Sequence, residues 1–142
     1  MTDPRIVPGL VLSYFGLFLQ EQYLPMRKFL QALITDKTKE SILQNVVDLV
    51  AIGTITDMVS LVGENRFWVK SGLNLINNTK RLGLQELIRS TNLQPGKIDS
   101  QNISWVIGPR INSAGRMDNA TTSYELLLTD DRSKASMLVH EL

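Results

Sequence analysis

Two arginines with small and amide residues between them form the strongest candidate for a phosphate-binding segment. Arg110 and Arg116 enclose the run Ile-Asn-Ser-Ala-Gly, and Gly108 precedes it. Arginine presents a planar fork of donors that matches phosphate oxygens. Asn112 can both donate and accept a hydrogen bond, and Gly115 lets a ligand approach the backbone closely. The segment therefore predicts contact with a phosphate or nucleotide. An ordinary turn between helices, with Asn112 in a left-handed conformation, is the alternative.

Asp57 is the carboxylate whose position points to chemistry. The continuous apolar run at residues 49–52 ends at Gly53-Thr54, which predicts a buried strand of a parallel sheet. Functional side chains of open α/β sheets gather just beyond the carboxyl ends of the strands, and Asp57 follows the predicted strand there. On topology alone it is a candidate functional carboxylate, and a turn or cap residue is the alternative.

The composition excludes several other kinds of site. The 142 residues contain no cysteine and one histidine, His140. Disulfide scaffolds, thiolate metal sites and cysteine nucleophiles are therefore excluded, and so is a metal centre built mainly from histidines of this chain. The absence of cysteine fits a reducing compartment. We expect His140 on a helix surface, without a role in chemistry.

The positive charge is concentrated in the middle of the chain. The net charge is +1, but residues 60–116 hold eight basic and three acidic residues, a net charge of +5. Such a block suits contact with a phosphate backbone, and a solvated helical surface is the alternative. Trp68 and Trp105 have the chemistry to stack on bases. Both neighbour apolar helical faces, so we expect them in the core.

The elements that position these residues are mainly helices. Asp99 or Ser100 is a candidate cap for a helix that ends at Gly108-Pro109, and a strand at residues 103–107 is the competing interpretation. The apolar stretch at residues 6–19 is too short for a bilayer span of about 20 residues. We therefore expect a helix-rich α/β chain with one strand, which needs further strands from elsewhere. Helical faces are predicted at Val69, Leu73 and Ile76, at Leu84, Leu87 and Ile88, at Tyr124, Leu127 and Leu128, and at Ala135, Leu138, Val139 and Leu142.

Several blocks of this sequence, in order, resemble segments of the RecJ single-strand-specific exonucleases of the DHH phosphoesterase superfamily. Residues 108–117, GPRINSAGRM, resemble the signature GPRxNAxGR, and residues 48–61, DLVAIGTITDMVSL, resemble DLVALGTxADVxPL. The resemblance covers about residues 46–142. Several blocks in order and at the expected spacing are far more specific than one motif. Shorter similar blocks are GENR at 63–66, NTKRLGL at 78–84 and LLLT at 126–129. The chain departs from the family at Thr56, Ser60 and Ser113, where the family has alanine, proline and alanine.

The resemblance implies a domain organisation. Residues 1–62 would form the C-terminal part of the DHH catalytic domain, with its parallel sheet. Residues 63–82 would form the helix region that connects the two core domains, and residues 83–142 would begin the second domain, which carries the GPRINSAGR motif. The family's DxD and DHH motifs would lie before residue 1, and its glycine–histidine motif after residue 142. The family's active site lies in the cleft between the domains.

The resemblance also implies a reaction, the hydrolysis of phosphodiester bonds of single-stranded DNA from the 5′ end, in DNA repair and recombination. Two divalent ions, Mn2+ or Mg2+, would activate water and stabilise the leaving oxygen. Asp57 matches a catalytic metal ligand of the family, and the remaining ligands lie outside this chain. Arg110, Asn112 and Arg116 match a segment that faces the cleft, and we assign them to substrate binding. The expected partners are single-stranded DNA, single-strand-binding protein and a RecQ-type helicase, in the cytoplasm and not at a membrane.

Two other functions stay open. The first is a nanoRNase or cyclic-dinucleotide phosphodiesterase of the same superfamily, which the signature at residues 108–116 disfavours. The second is a catalytically inert DHH relative that serves as a replication scaffold, and the presence of Asp57 argues against it. Because one matched carboxylate cannot hold two ions, we expect the 142-residue chain alone to be inactive.

Overall fold

The computed structural model describes residues 45–116 and 120–142, with the backbone alone at residues 114–116 and 120. These residues form helices joined by turns and loops and include no strand, so the helix-rich fold is confirmed. No helix in the described ranges has the length and hydropathy that a bilayer span requires. The π-helical segment Ile103–Ile107 joins α4 to α5 without a break. The α-helices are α1 Val47–Thr56, α2 Gly63–Asn77, α3 Leu82–Ser90, α4 Ser100–Asn102, α5 Gly108–Arg116, α6 Ala120–Leu128 and α7 Arg132–Glu141.

The segment that the sequence predicts as a strand, residues 49–52, lies in α1 instead, so that prediction is wrong. The reason is burial, because eight of the ten residues of α1 are buried. A helix buried on all sides has no polar face, so its sequence lacks the 3.6-residue alternation and reads like a buried strand. The hydroxyl of Thr54, a polar residue inside α1, donates to the Val50 carbonyl at 2.7 Å. Asp57 therefore follows a helix and not a strand.

The core is built where α1 and α2 cross and where α3 packs on α6 and α7. A Cβ on Gly72 of α2 would overlap the Ala51 side chain and the Val47 carbonyl, so the helices α1 and α2 approach each other at a residue without a side chain. The predicted apolar faces of α2, α3 and α7 are confirmed, because their residues are buried or packed on the core. Tyr124 of α6 is instead 38% exposed, and Leu126 is buried in its place.

The helix that begins after Asp99 is capped as the sequence predicts. Asp99 Oδ1 accepts from the Asn102 N–H at 2.8 Å, and Asn102 Oδ1 accepts from the Asp99 N–H at 3.1 Å. This pair is a capping box, which satisfies two backbone donors that have no partner inside the helix.

The same helix does not end at Gly108-Pro109, so that prediction is wrong, as are the strand and the inter-helix turn. Pro109 lacks an N–H, and in a regular helix its ring would clash with the carbonyl one turn earlier. The π-helical segment lies directly before it and widens the helix there, with the Gly108 N–H bonded to the Ile103 carbonyl. Residues 108–116 are therefore α5, and Asn112 is helical.

The side chain of Asn77 closes the segment that contains α3. Its Nδ2 donates to the Ile98 carbonyl at 2.8 Å and to the Leu73 carbonyl at 2.9 Å, while its Oδ1 accepts from the Ile98 N–H at 2.6 Å. This segment contains a turn, in which the Lys97 N–H bonds to the Gln94 carbonyl at 3.1 Å and Gly96 has a φ of +83°. After α2 the chain forms α3 and then returns at Ile98 to Asn77, the last residue of α2.

The predicted domain boundaries stay a prediction. Residues 1–44 of the expected catalytic domain lie outside the described residues. The remaining part of that range is α1 and the loop after it, α2 begins at Gly63, and α3 begins at Leu82.

Candidate active site

Asp57 is held at the end of α1 by a turn of the Schellman type. The Met58 N–H bonds to the Ile55 carbonyl at 3.1 Å, and the Val59 N–H bonds to the Thr54 carbonyl at 3.2 Å. These bonds satisfy carbonyls that the end of the helix leaves open. The turn requires a φ of +53° at Met58, a value that is uncommon for residues other than glycine. The backbone thus fixes the place from which the Asp57 carboxylate projects.

The Asp57 carboxylate is in an environment that disfavours its charge. Burial raises its pKa above the ordinary value for aspartate, and the C-terminal end of a helix carries partial negative charge. The ion pairs and side-chain hydrogen bonds among residues 45–113 and 121–142 do not include this carboxylate. A cation at this point would relieve both penalties.

The described residues can contribute a ligand to a divalent metal ion, but they do not form a complete metal site. Hard oxygen ligands such as the Asp57 carboxylate suit Mg2+ and Mn2+. No group of three or more acidic or histidine side chains that could hold a metal occurs in the described part of the chain. Asp57 can therefore supply one ligand, and the others must come from residues outside that part.

Gly108 connects this helix end to the arginine segment. A Cβ on Gly108 would lie 2.6 Å from Thr56 Oγ1 and 2.9 Å from Thr56 Cγ2. Thr56 is the residue before Asp57, and its hydroxyl donates to the Ile52 carbonyl at 2.7 Å. The structure therefore brings together the two segments that the sequence singles out, the end of α1 and the beginning of α5.

Helix α5 places the predicted substrate-binding residues on different sides. Arg110 faces α3, where its Nη1 donates to Ser90 Oγ at 3.1 Å. Position 112 lies two residues further on, about 200° around a helix with 3.6 residues per turn, and Asn112 is exposed. Arg116 is the last residue of α5 and shares a side with position 112, four residues earlier. The Arg116 side chain lies outside what the structure describes.

One arginine of the basic block has a structural role. Arg81 Nε forms an ion pair with Asp48 Oδ2 at 2.6 Å, and Asp48 is 6% exposed. The Arg81 guanidinium also donates to the Asn45 carbonyl and, at 3.4 Å, to the Leu127 carbonyl. Arg81 is thus engaged in holding helices together. The sequence analysis missed this pair, although the two opposite charges lie in two of the blocks that resemble the family.

Trp105 is exposed, so the prediction that it lies in the core is wrong. It is 79% exposed on the π-helical segment. Trp68 is half-buried and meets the Phe67 ring edge-on, with 5.3 Å between ring centroids. His140 is exposed on α7, as the sequence predicts.

The chain is similar in sequence to curated RecJ proteins. It is 37% identical over 97 residues to the single-stranded-DNA-specific exonuclease RecJ of Bacillus subtilis, which is 68% of this chain and 12% of that protein. It is 40% identical over 99 residues to the RecJ of Haemophilus influenzae, 69% of this chain and 17% of the relative. No protein-family model matches the chain.

The chain is also similar in fold to solved RecJ structures. It matches RecJ from Thermus thermophilus in complex with Mn2+ with a TM-score of 0.63 and 38% identity, over 69% of this chain and 15% of that one. A structure of exonuclease RecJ bound to manganese matches with the same TM-score and covers 25% of its own chain. The chain thus spans less than a fifth of the curated relatives described above, and more than two thirds of it is a RecJ-type segment in both sequence and fold.

Proposed function

We propose that the whole protein containing this chain is a metal-dependent exonuclease that hydrolyses phosphodiester bonds of single-stranded DNA from the 5′ end. The observation that carries the proposal is the partly buried Asp57 at the end of α1, which forms no ion pair within the described part of the chain and follows the residue that packs on the first residue of α5. The relatives are named single-stranded-DNA-specific exonucleases, and the similar structures of RecJ from Thermus thermophilus are in complex with Mn2+ or Mg2+.

In this proposal Asp57 is a catalytic metal ligand. Two divalent ions, Mn2+ or Mg2+, would supply an activated water and stabilise the leaving oxygen. The contribution of this chain is a carboxylate whose position is fixed by three consecutive backbone hydrogen bonds at the helix end. Burial weakens the competition from water for that carboxylate and raises its need for a cation.

Arg110, Asn112 and Arg116 are the proposed substrate-binding residues. Helix α5 carries two arginines and no acidic residue, and none of the ion pairs among the described residues includes Arg110. A guanidinium without a carboxylate partner remains available for a phosphate. The hydrogen bond to Ser90 orients Arg110 without neutralising it.

The biological setting belongs to the same proposal. The protein acts in DNA repair and recombination in the cytoplasm, together with single-strand-binding protein and a RecQ-type helicase. Residues 1–62 complete the catalytic domain, residues 63–82 connect it to the second domain, and residues 83–142 begin that second domain. Helix α2, Gly63–Asn77, lies within the proposed connecting range.

Degradation of labelled single strands by the purified whole protein tests the proposal. We expect cleavage that requires Mn2+ or Mg2+, that acts on a strand with a free 5′ end and that leaves duplex DNA intact. Asp57→Asn keeps the shape of the side chain and removes its charge, so cleavage should be lost while the strand is still bound. Asp130→Asn, at an exposed residue with no proposed role, is the matched control.

The substrate panel separates this proposal from the alternatives. Cleavage of dinucleotides or cyclic dinucleotides, with long single strands left intact, would indicate the nanoRNase or phosphodiesterase function. Strand binding with no cleavage in either metal would indicate an inert scaffold. Full activity of Asp57→Asn would show that Asp57 has no role in metal binding.

A further inference from the structure

We propose that Trp105 is a stacking platform for one unpaired base of a single-stranded nucleic acid. The inference rests on the proposed function, because it names how the strand would be held beside α5. Trp105 is 79% exposed, although tryptophan is among the residues with most to gain from burial. Among the aromatic side chains that the structure describes, Phe67 is 63% exposed, Tyr124 is 38% exposed and Trp68 is half-buried, so Trp105 presents the most exposed ring.

The Trp105 backbone is rigidly anchored although its side chain is exposed. Ile103 and Ile107, two residues away on either side, are both 0% exposed and belong to the main core. The capping box at Asp99 fixes the beginning of this helical rod. π-helical turns occur often at functional sites, and here the turn presents an aromatic ring to solvent from a backbone that cannot easily move.

The side of the rod that carries Trp105 has the composition of a nucleic-acid contact. Exposed residues four and seven positions from Trp105 along the rod are Gln101, Pro109 and Asn112. Two of these are amides, which can hydrogen-bond the edges of bases. Residues 100–116 hold two arginines and no acidic residue, so the rod itself, beyond its cap Asp99, favours a polyanion.

The same composition argues against a protein partner at Trp105. Large contiguous apolar patches mark protein interfaces, whereas the exposed residues four and seven positions from Trp105 along the rod are amides and a proline. Exposed apolar residues are grouped elsewhere, at Met58, Val59, Leu61 and Val62 in the loop after α1. A single aromatic ring flanked by amides suits stacking on a base, which tolerates every base because each has a π face.

Tryptophan fluorescence of the 142-residue chain tests the inference directly. In the Trp68→Phe variant Trp105 is the sole tryptophan. Oligothymidylate should quench its emission, whereas an abasic strand of the same length and charge should not. Trp105→Ala should weaken oligothymidylate binding about tenfold, because stacking contributes on the order of 1–3 kcal/mol per base. Trp105→Phe should restore part of the affinity.

The controls separate stacking from charge and from folding. Trp105→Ala should leave the salt dependence of binding unchanged, since no phosphate contact is lost. Met137→Ala, which removes another exposed apolar side chain at 67% exposure, should leave the affinity unchanged. Equal quenching by the abasic strand, an unaltered affinity of Trp105→Ala or a chain that binds no oligothymidylate would overturn the inference.

The inference and the proposed function can fail independently. If the whole protein cleaves single strands and Trp105→Ala has an unchanged KM, the stacking role is wrong and the exonuclease stands. If the whole protein does not cleave but Trp105 is still quenched by oligothymidylate, the exonuclease is wrong and the stacking role stands. If Trp105 in the whole protein is shielded from acrylamide without any strand, another part of the protein covers it and the inference is wrong.

Discussion

The guanidinium of Arg81 and the carboxylate of Asp48 form a 2.6 Å ion pair across 33 residues of sequence. Arg81 precedes α3, and Asp48 lies in the first turn of α1. The same guanidinium reaches the backbone of Leu127 in α6. One side chain therefore links α1, the beginning of α3 and α6, and its carboxylate partner is almost inaccessible to solvent.

Asp48→Ala should destabilise the fold strongly, by about 3–5 kcal/mol, because it leaves a largely buried guanidinium without a carboxylate. Urea unfolding of the 142-residue chain measures this loss. A joint replacement, Asp48→Leu with Arg81→Met, should lose less than Asp48→Ala alone, since no buried charge is left unpaired. Arg81→Lys should also be less stable than the wild type, because the lysine ammonium cannot reach all the acceptors that the guanidinium contacts. Equal losses in the single and joint variants would contradict the interpretation.

Asp57→Asn should raise the thermal stability of the chain at neutral pH in EDTA. Burial raises the pKa of Asp57, so the folded state binds its proton more tightly than the unfolded state. The ionised carboxylate therefore lowers the free energy of unfolding, and this loss appears as the pH rises from the unfolded pKa through the folded one. Above the folded pKa the advantage of the Asp57→Asn variant should be constant, and at pH values below both it should shrink. Melting temperatures of both proteins between acid and neutral pH check this, with Asp130→Asn as control.

Gly108→Ala should destabilise the junction of α1 and α5 by about 1–3 kcal/mol, the usual cost of forcing an extra methyl into a packed region. The new Cβ would meet the two branches of the Thr56 side chain at 2.6 and 2.9 Å. Thr56→Ala removes both branches, so the joint variant should be more stable than the sum of the single losses predicts. Thermal unfolding of the three variants gives this coupling, and strictly additive losses would show that the contact is not limiting.

Arg110→Ala should weaken binding to all single strands alike and reduce the log–log salt slope by about 0.7, the value for one phosphate contact on a single strand. Arg110→Lys should keep only part of the wild-type affinity, because lysine lacks the bidentate fork of arginine. Arg89→Ala is the matched control, since Arg89 is exposed and already paired with Glu86 at 2.9 Å. An unchanged slope together with a lowered melting temperature for Arg110→Ala would mean that this arginine has a structural role.

Sequence reasoning succeeded where one face of a helix is polar and failed where that contrast is missing. The faces of α2 and α3 alternate clearly, and Asp99 caps its helix by local hydrogen bonds, so each could be predicted from neighbouring residues. Helix α1 is buried all round and carries no such alternation. Pro109 marks a helix end in most sequences, but here a π-helical turn accommodates it, and that depends on the packing of Ile103 and Ile107.

The candidate site was predictable from the sequence only where it depends on the local order of residues. Asp57 was singled out because it follows an apolar run, and it follows α1 at the same point in the chain although the run is a helix. Its pairing state and the contact of Thr56 with Gly108 depend on tertiary structure. Trp105 was misplaced because its neighbours are apolar, and which side of a helix meets the core at a π-helical turn does not follow from a regular period.

The two hydrogen bonds between the Asn77 side chain and the Ile98 backbone close the intervening segment into a loop. They fix the two ends of this loop independently of its most distant residues. The tip, residues 92–96, is mostly exposed and turns through positive φ angles at Asn92 and Gly96. Doubling the length of a flexible loop costs only about 0.6 kcal/mol of closure entropy. An insertion at this tip should therefore leave α2 and the core in register, which makes the tip a suitable point for a tag or label.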